Sequence, residues 1–229
     1  CCEIVYFKTA VINNEMVNRS IVGTAQTRKA RVNIIQAILN HEDDENFYAG
    51  SNQEATVYRS LFCQTGILSN KPQETISEIL GKMDRFIDAC SDKKCLISVL
   101  IEELTNAPYG LRAGLIPLYL AYVLAGRRED IIIYFAENEV QLTGEIVVNM
   151  CENPLDYQMY LSKEDLQKEK YISELNALFD VEDNRNLSSN RIKNIFICMQ
   201  RWFRSLPQVS RNLVSLENYV ANDNYALAM

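Results

Sequence analysis

Residues 106–142 read NAPYGLRAGLIPLYLAYVLAGRREDIIIYFAENEVQL. A turn-rich PYGLRAG leads into an almost wholly apolar run, a basic stop follows, and AENE divides a strand-forming stretch. Helix, turn, helix and hairpin in that order spell a winged helix-turn-helix, a shape often used to bind DNA. A reading helix needs a solvent face of Arg, Lys, Asn, Gln or Ser that can reach base edges. In LIPLYLAYVLAG (residues 115–126) the only polar side-chain atoms are the hydroxyls of Tyr119 and Tyr122. Burying one Leu or Val is worth roughly 1.5–3 kcal/mol, so two tyrosines in a groove could not compensate for exposing the run. A helix apolar on nearly all sides belongs in a core. Leu115, Leu118, Leu120 and Val123 are therefore expected to be buried, and the winged shape to act as scaffold or docking surface.

The bulk properties agree with a modest-sized globular chain. At 229 residues it holds one large domain or two smaller ones, with 48% apolar and 23% charged residues. A net charge of −7 repels a phosphate backbone, so any nucleic-acid contact must come from a local basic patch. The strongly apolar run Leu115–Leu124 is about half the length a bilayer span needs. No signal peptide is legible, because Cys1-Cys2-Glu3 lacks a basic start and Lys8 interrupts the first apolar stretch. Seven scattered cysteines (1, 2, 63, 90, 95, 151, 198) accompany a single histidine, His41. Zinc sites use two tight pairs of ligands, so no metal ligand is nominated, and reduced thiols in a cytoplasmic protein are expected. The chain begins at Cys1 without methionine and stops at NYALAM in what still reads as helix. It is expected to be a piece of a larger polypeptide.

Outward from the opening stretch, EIVYFKTAVI reads as a short strand. Thr27 is the expected cap of an amphipathic helix with Ala30, Ile34, Ile35, Ala37, Ile38 and Leu39 at helical spacing. EDDENFYAGSN reads as an acidic loop, and a second helix runs from Asn52 or Gln53 to Thr65, stopped by Gly66. A third helix follows Pro72, with Ile76, Ile79, Leu80, Met83, Phe86 and Ile87 as its stripe. Ser91 is expected to cap a helix through Thr105 that turns Leu96, Val99, Leu100 and Leu104 inward. DIIIYF and VQL read as hairpin strands, Thr143 starts a helix, and YQMYL is a last short strand. Everything after Leu161 reads as helical. The expected fold is mainly α with a small β component: a winged-helix-like module (91–162) between a mostly helical N-terminal segment (1–90) and a C-terminal helical segment (163–229).

Two basic clusters stand out. Residues 185–211 carry Arg185, Arg191, Lys193, Arg201, Arg204 and Arg211 with no Asp or Glu, a local charge of +6. Trp202 and Phe203 lie among them, the mixture that backbone contact with base stacking uses. The competing reading is an amphipathic helix whose Ile192, Ile195, Phe196, Met199, Trp202 and Phe203 pack inward while the arginines face water or the acidic stretch 164–183. Burial of Trp202 is expected. The smaller cluster, Arg19, Arg28, Lys29 and Arg31, reads as a solvated face.

No catalytic or cofactor-binding residue is nominated. A GxxxxGK[ST] phosphate loop and a GxGxxG turn are both missing, and one histidine leaves no nucleophile–base pairing. Adjacent carboxylates at Glu102-Glu103 and at 42–45 read as solvated charge. No small-molecule substrate and no membrane partner are indicated; DNA stands as the alternative partner.

Three segments together resemble a known family. INNEMVNR with GSNQEATVYRSLFCQTGI, then LTNAPYGLRAGLIPLYLAYVL, then MQRWFRSLP are similar to stretches of very large bacterial P-loop ATPases of phage-defence islands, the BREX-type ATPases and relatives. The resemblance spans most of the chain through short motifs. It implies a region downstream of the nucleotide-binding domain, with a role in assembly, DNA engagement or signal relay. The nucleotide-binding motif itself is missing here, so the resemblance carries no ATP chemistry to any residue of this chain.

Overall fold

In the computed structural model, which describes residues 2–14, 17, 24–162, 166–179 and 191–211, the apolar run of the opening stretch is a helix at the centre of its unit. The chain divides into two compact units, Cys1–Lys163 and Glu164–Met229. The described elements are helices and a four-stranded antiparallel sheet, the mainly α architecture with a small β component that the patterning implies. No helix among the described residues is long and apolar enough to cross a membrane.

The first unit is built around its helices. These are α1 (Cys2–Val5), α2 (Ala25–Asn40), α3 (Glu45–Ala49), α4 (Gln53–Tyr58, continued by a wide π turn over Arg59–Cys63) and α5 (Glu74–Ala89). The winged part follows as β1 (Cys95–Leu96), α6 (Ile97–Thr105), α7 (Ile116–Ala125), β2 (Ile131–Phe135), β3 (Asn138–Val140), α8 (Gly144–Glu152) and β4 (Tyr157–Leu161). The strand order is β1-β4-β2-β3, all antiparallel. The two positive φ angles that a tight two-residue hairpin turn requires fall at Ala136 (45°) and Glu137 (69°). The second hairpin strand therefore begins at Asn138, two residues before the VQL reading placed it.

α7 packs against α2, α5 and α8. Leu115, Leu118, Leu120 and Val123 are all buried, as the core-helix reading requires. The buried faces of α2 and α5 are the stripes read from the sequence, with Leu80 only partly covered. One apolar cluster runs from Ile12 to Met159, crossing residue 90 without interruption.

PYGLRAG joins α6 to α7 as a turn. Asn106 is extended, the Ala107–Pro108 bond is cis, and Gly110 takes φ +57°. The Gly110 N–H donates to the Asn106 carbonyl at 2.9 Å, and the Leu111 N–H to that of Leu104 at 2.7 Å. Two backbones nearly touch where α8 begins. A Cβ at Gly144 would stand 2.5 Å from the Val32 carbonyl oxygen, and the Gly144 N–H donates to Gln36 Oε1 at 2.8 Å.

Several local expectations are corrected. EIVYFKTAVI forms no strand; Cys2–Val5 is a short helix, and Ile4, Val5 and Phe7 stay exposed. β propensity expresses packing on a sheet face more than a backbone preference, and none of the four strands takes this segment as a partner. The cap of α2 is Thr24, whose hydroxyl accepts from the Thr27 N–H. Ser91 lies in a turn, and the helix assigned to it starts only at Ile97, after β1. That start sets the helical phase, so Ile97, Leu100 and Leu104 face the core while Leu96 and Val99 remain outside. The acidic stretch is not merely a loop. Asp44 caps α3 through the Phe47 N–H, and Asp43 Oδ2 accepts from the Tyr58 hydroxyl at 2.5 Å.

The second unit contains α9 (Leu166–Leu178), α10 (Arg191–Ser205) and α11 (Gln208–Arg211). The expected third helix over SLENYVANDNYALAM lies outside the described residues.

Candidate functional site

Nine of the ten residues of α7 are buried, and Tyr122 is half-buried. The helix in the reading position thus presents no polar face to a groove. Tyr119 has its hydroxyl buried without a hydrogen-bond partner among the described residues, and burial pushes its pKa up. Tyr122 packs on Phe62, with ring centroids 5.6 Å apart. Phe62 also stacks on Tyr58 at 4.7 Å, and Tyr58 lies parallel to Tyr48 at 5.7 Å. Burial first, and the Asp43 hydrogen bond second, raise the Tyr58 pKa.

The wing carries carboxylates. Glu137 at the turn pairs with Lys94 at 3.3 Å, and Lys94 also sits 3.6 Å from the centroid of the Tyr134 ring. A basic wing lays cations along a phosphate backbone; this one spends a lysine on its own glutamate.

The smaller basic cluster divides: Lys29 is solvated, while Arg28 and Arg31 are partly covered. Arg28 donates to Glu145 at 2.7 Å, Asn149 at 2.7 Å and Glu152 at 3.3 Å, clamping α2 to α8. Arg31 is half-buried, and desolvation lowers its pKa. Lys29 is exposed, and Arg19 lies outside the described residues.

The larger cluster divides differently from either expectation. Arg201, Arg204 and Arg211 are exposed; Arg191 and Lys193 fall within α10, their side chains outside the described set; Arg185 lies outside it altogether. None of Arg201, Arg204 and Arg211 forms an ion pair among the described residues, and Glu174 is exposed. Glu164 and Asp165 lie outside the described residues, as does the side chain of Glu169. Trp202 is not buried. It is 53% exposed, with its edge against Phe179 at 5.7 Å between ring centroids. Ile192, Phe196, Met199 and Phe203 are exposed with it, and of the six stripe residues only Ile195 is buried. Periodicity identifies which residues share a face of a helix; a covering partner decides whether that face is buried.

One further feature escaped the sequence. α5 and α6 flank a cavity of about 460 Å³ beside β1. Lys82 and Arg85 from α5, with Lys93 and Lys94 from the turn before β1, form its rim, and Phe86, Ala89, Leu96 and Val99 its floor. The i, i+3 pair in α5 and the adjacent lysines lie apart in the sequence, and only the fold brings them together. At the same place the Cys90 thiol donates to the Phe86 carbonyl at 3.1 Å, and the Cys95 thiol to that of Ala89 at 3.7 Å. Both sulfurs thus lie on the last turn of α5. Burial pushes the Cys90 thiol pKa up, and the neighbouring Cys95 adds to the shift. Among the described residues no three His, Cys, Asp or Glu side chains gather as a metal site.

Comparison with protein-family models, with curated proteins and with solved structures gives no match.

Proposed function

We propose that this chain is a non-catalytic interaction module of a larger bacterial ATPase-type protein of the phage-defence kind, with the winged part serving as a docking scaffold. The observation that carries this reading is the burial of α7: nine of its ten residues are covered. The Glu137–Lys94 pair supports it, because it removes the usual wing cation from phosphate contact. The short motifs quoted from residues 12–67, 104–124 and 199–207 supply the ATPase context. The test uses the parent protein. Its nucleotide-binding part, expressed as a separate polypeptide, is expected to bind this chain. A parent reading frame without a phosphate loop, or no association in trans, overturns the proposal.

A second reading has its own observation. Trp202 is exposed on α10, a helix that also carries the exposed Arg201 and Arg204, and exposed aromatics with cations are the residue types that binding of a single-stranded nucleic acid uses. On this reading the affinity for a labelled oligonucleotide falls steeply with salt, because each neutralised phosphate releases counterions. Binding that is independent of salt, or unchanged by Trp202→Ala, removes it.

A further inference from the structure

We infer that the groove between α5 and α6 is a docking site for an acidic protein segment that inserts an apolar side chain between the two helices. The inference rests on the docking reading above and adds the surface and the chemistry of the partner. Four cations ring the groove, and Glu103 is the carboxylate in its lining. Lys82 pairs with Glu103 at 3.0 Å, and Lys94 is held by Glu137. Arg85 and Lys93 are exposed and form no ion pair among the described residues. The acids of α5 lie outside the groove lining: Asp84 and Asp88 both pair with Arg127, and Glu78 pairs with Lys8. Two cations at the mouth are therefore left without a counter-charge, in a chain whose net charge is −7.

The floor selects the rest of the partner. Leu96 and Val99 are 39% and 50% exposed and lie inside the charged ring. Covering them removes hydrocarbon from water, while carboxylates on either side of the inserted group meet Arg85 and Lys93. Charge complementarity of this kind sets partner choice and encounter rate. A nucleic acid fits less well. Base stacking needs an open aromatic face, whereas Phe86, the aromatic of this lining, is buried. The volume of about 460 Å³ accepts a side chain or two.

The experiment measures binding of a dye-labelled peptide with glutamates on both sides of a central leucine, by fluorescence anisotropy, against a control peptide with lysine replacing each glutamate. The glutamate peptide is expected to bind, and the lysine peptide not to bind. Arg85→Glu with Lys93→Glu should weaken the complex by about tenfold or more. Val99→Asp should weaken it separately, with unchanged circular dichroism in every variant. Should a variant lose structure, Arg85→Gln with Lys93→Gln gives the same comparison without charge reversal. Chemical-shift changes on peptide addition should centre on residues 82–103. Peptide binding that ignores all these substitutions overturns the proposal, as does displacement from these residues by short single-stranded DNA. If the peptide does not bind while the parent's nucleotide-binding part still does, the groove is refuted and the docking reading stands. If neither binds, both are refuted.

Discussion

α7 and α10 are both rich in large apolar side chains, and they have opposite fates. α7 is apolar on nearly every side and is covered everywhere but at the half-buried Tyr122. α10 is apolar on one side only, and most of that stripe remains exposed, with Arg201 and Arg204 on the far face. The difference lies in the polar positions. A helix with no polar face can only be a centre, so other elements must assemble around it. A one-sided helix already has a solvated face, and its stripe stays open until something of matching shape covers it.

The comparison predicts unequal costs for similar truncations. Leu118→Ala in α7 should destabilise the chain by about 2–5 kcal/mol, the cost of a core cavity. Phe196→Ala in α10 should change stability by about 0.5 kcal/mol or less. Urea denaturation compares the two, and equal losses would erase the distinction drawn above.

Next in size is the turn that delivers α7. Gly110 has φ +57°, and a Cβ there would come within 2.5 Å of the Tyr6 ring. Gly110→Val should cost about 1–3 kcal/mol, since a β-branched residue is strained in that conformation. A thermal midpoint equal to that of the parent chain would show that the turn can relax without disturbing α7.

Smaller effects separate the two buried phenols. Tyr58→Phe removes the hydrogen bond to Asp43 and leaves that carboxylate short of a donor, for a loss of about 1 kcal/mol. Tyr119→Phe removes an orphaned hydroxyl, so stability should hold or rise slightly. Both phenols have raised pKa values in the fold, so each favours its neutral form there. Their contribution is complete below the unfolded tyrosine pKa of about 10 and is lost as pH climbs above it. Tyr119→Phe should therefore reduce the fall in stability on the alkaline side, measured as denaturation midpoints against pH. An unaltered alkaline limb would assign that fall to other groups.

The smallest expected effect on stability belongs to Arg201→Ala and Arg204→Ala combined, both exposed and without an ion pair among the described residues. Exposed arginines without ion partners contribute little to folding, so the melting curve should be unchanged. If α10 contacts nucleic acid, the salt dependence of that binding should flatten. A large loss of stability would instead place these side chains in packing that the exposed face of α10 does not suggest.

Legibility followed the strength of periodicity. α2 and α5 could be read because their apolar residues recur over more than three turns, α7 because its apolar run is unbroken, and Gly66 marked the end of its helix. EIVYFKTAVI misled because strand-forming residues need a sheet neighbour, which a single segment does not reveal. Ser91 misled because a capping residue is informative only where a helix follows at once; five residues and a strand intervene here. Trp202 misled because its helical face says where the ring points and not what meets it. The α5–α6 groove was illegible for a different reason: its rim draws on residues of a helix and of the turn beyond it, each unremarkable alone.

The seam between α2 and α8 has a consequence for how the chain reaches its folded state. Gly144 meets Gln36 across a separation of 108 residues, and Arg28 meets Glu145 across 117. Contacts so distant in sequence close late, because the loop entropy must be overcome before they form. During synthesis α7 emerges after α2 and α5, two of the helices it packs on, and before the third, α8. Until α8 follows α7 out of the ribosome, the most apolar of the described helices has one side bare, and a chaperone can cover it in that interval.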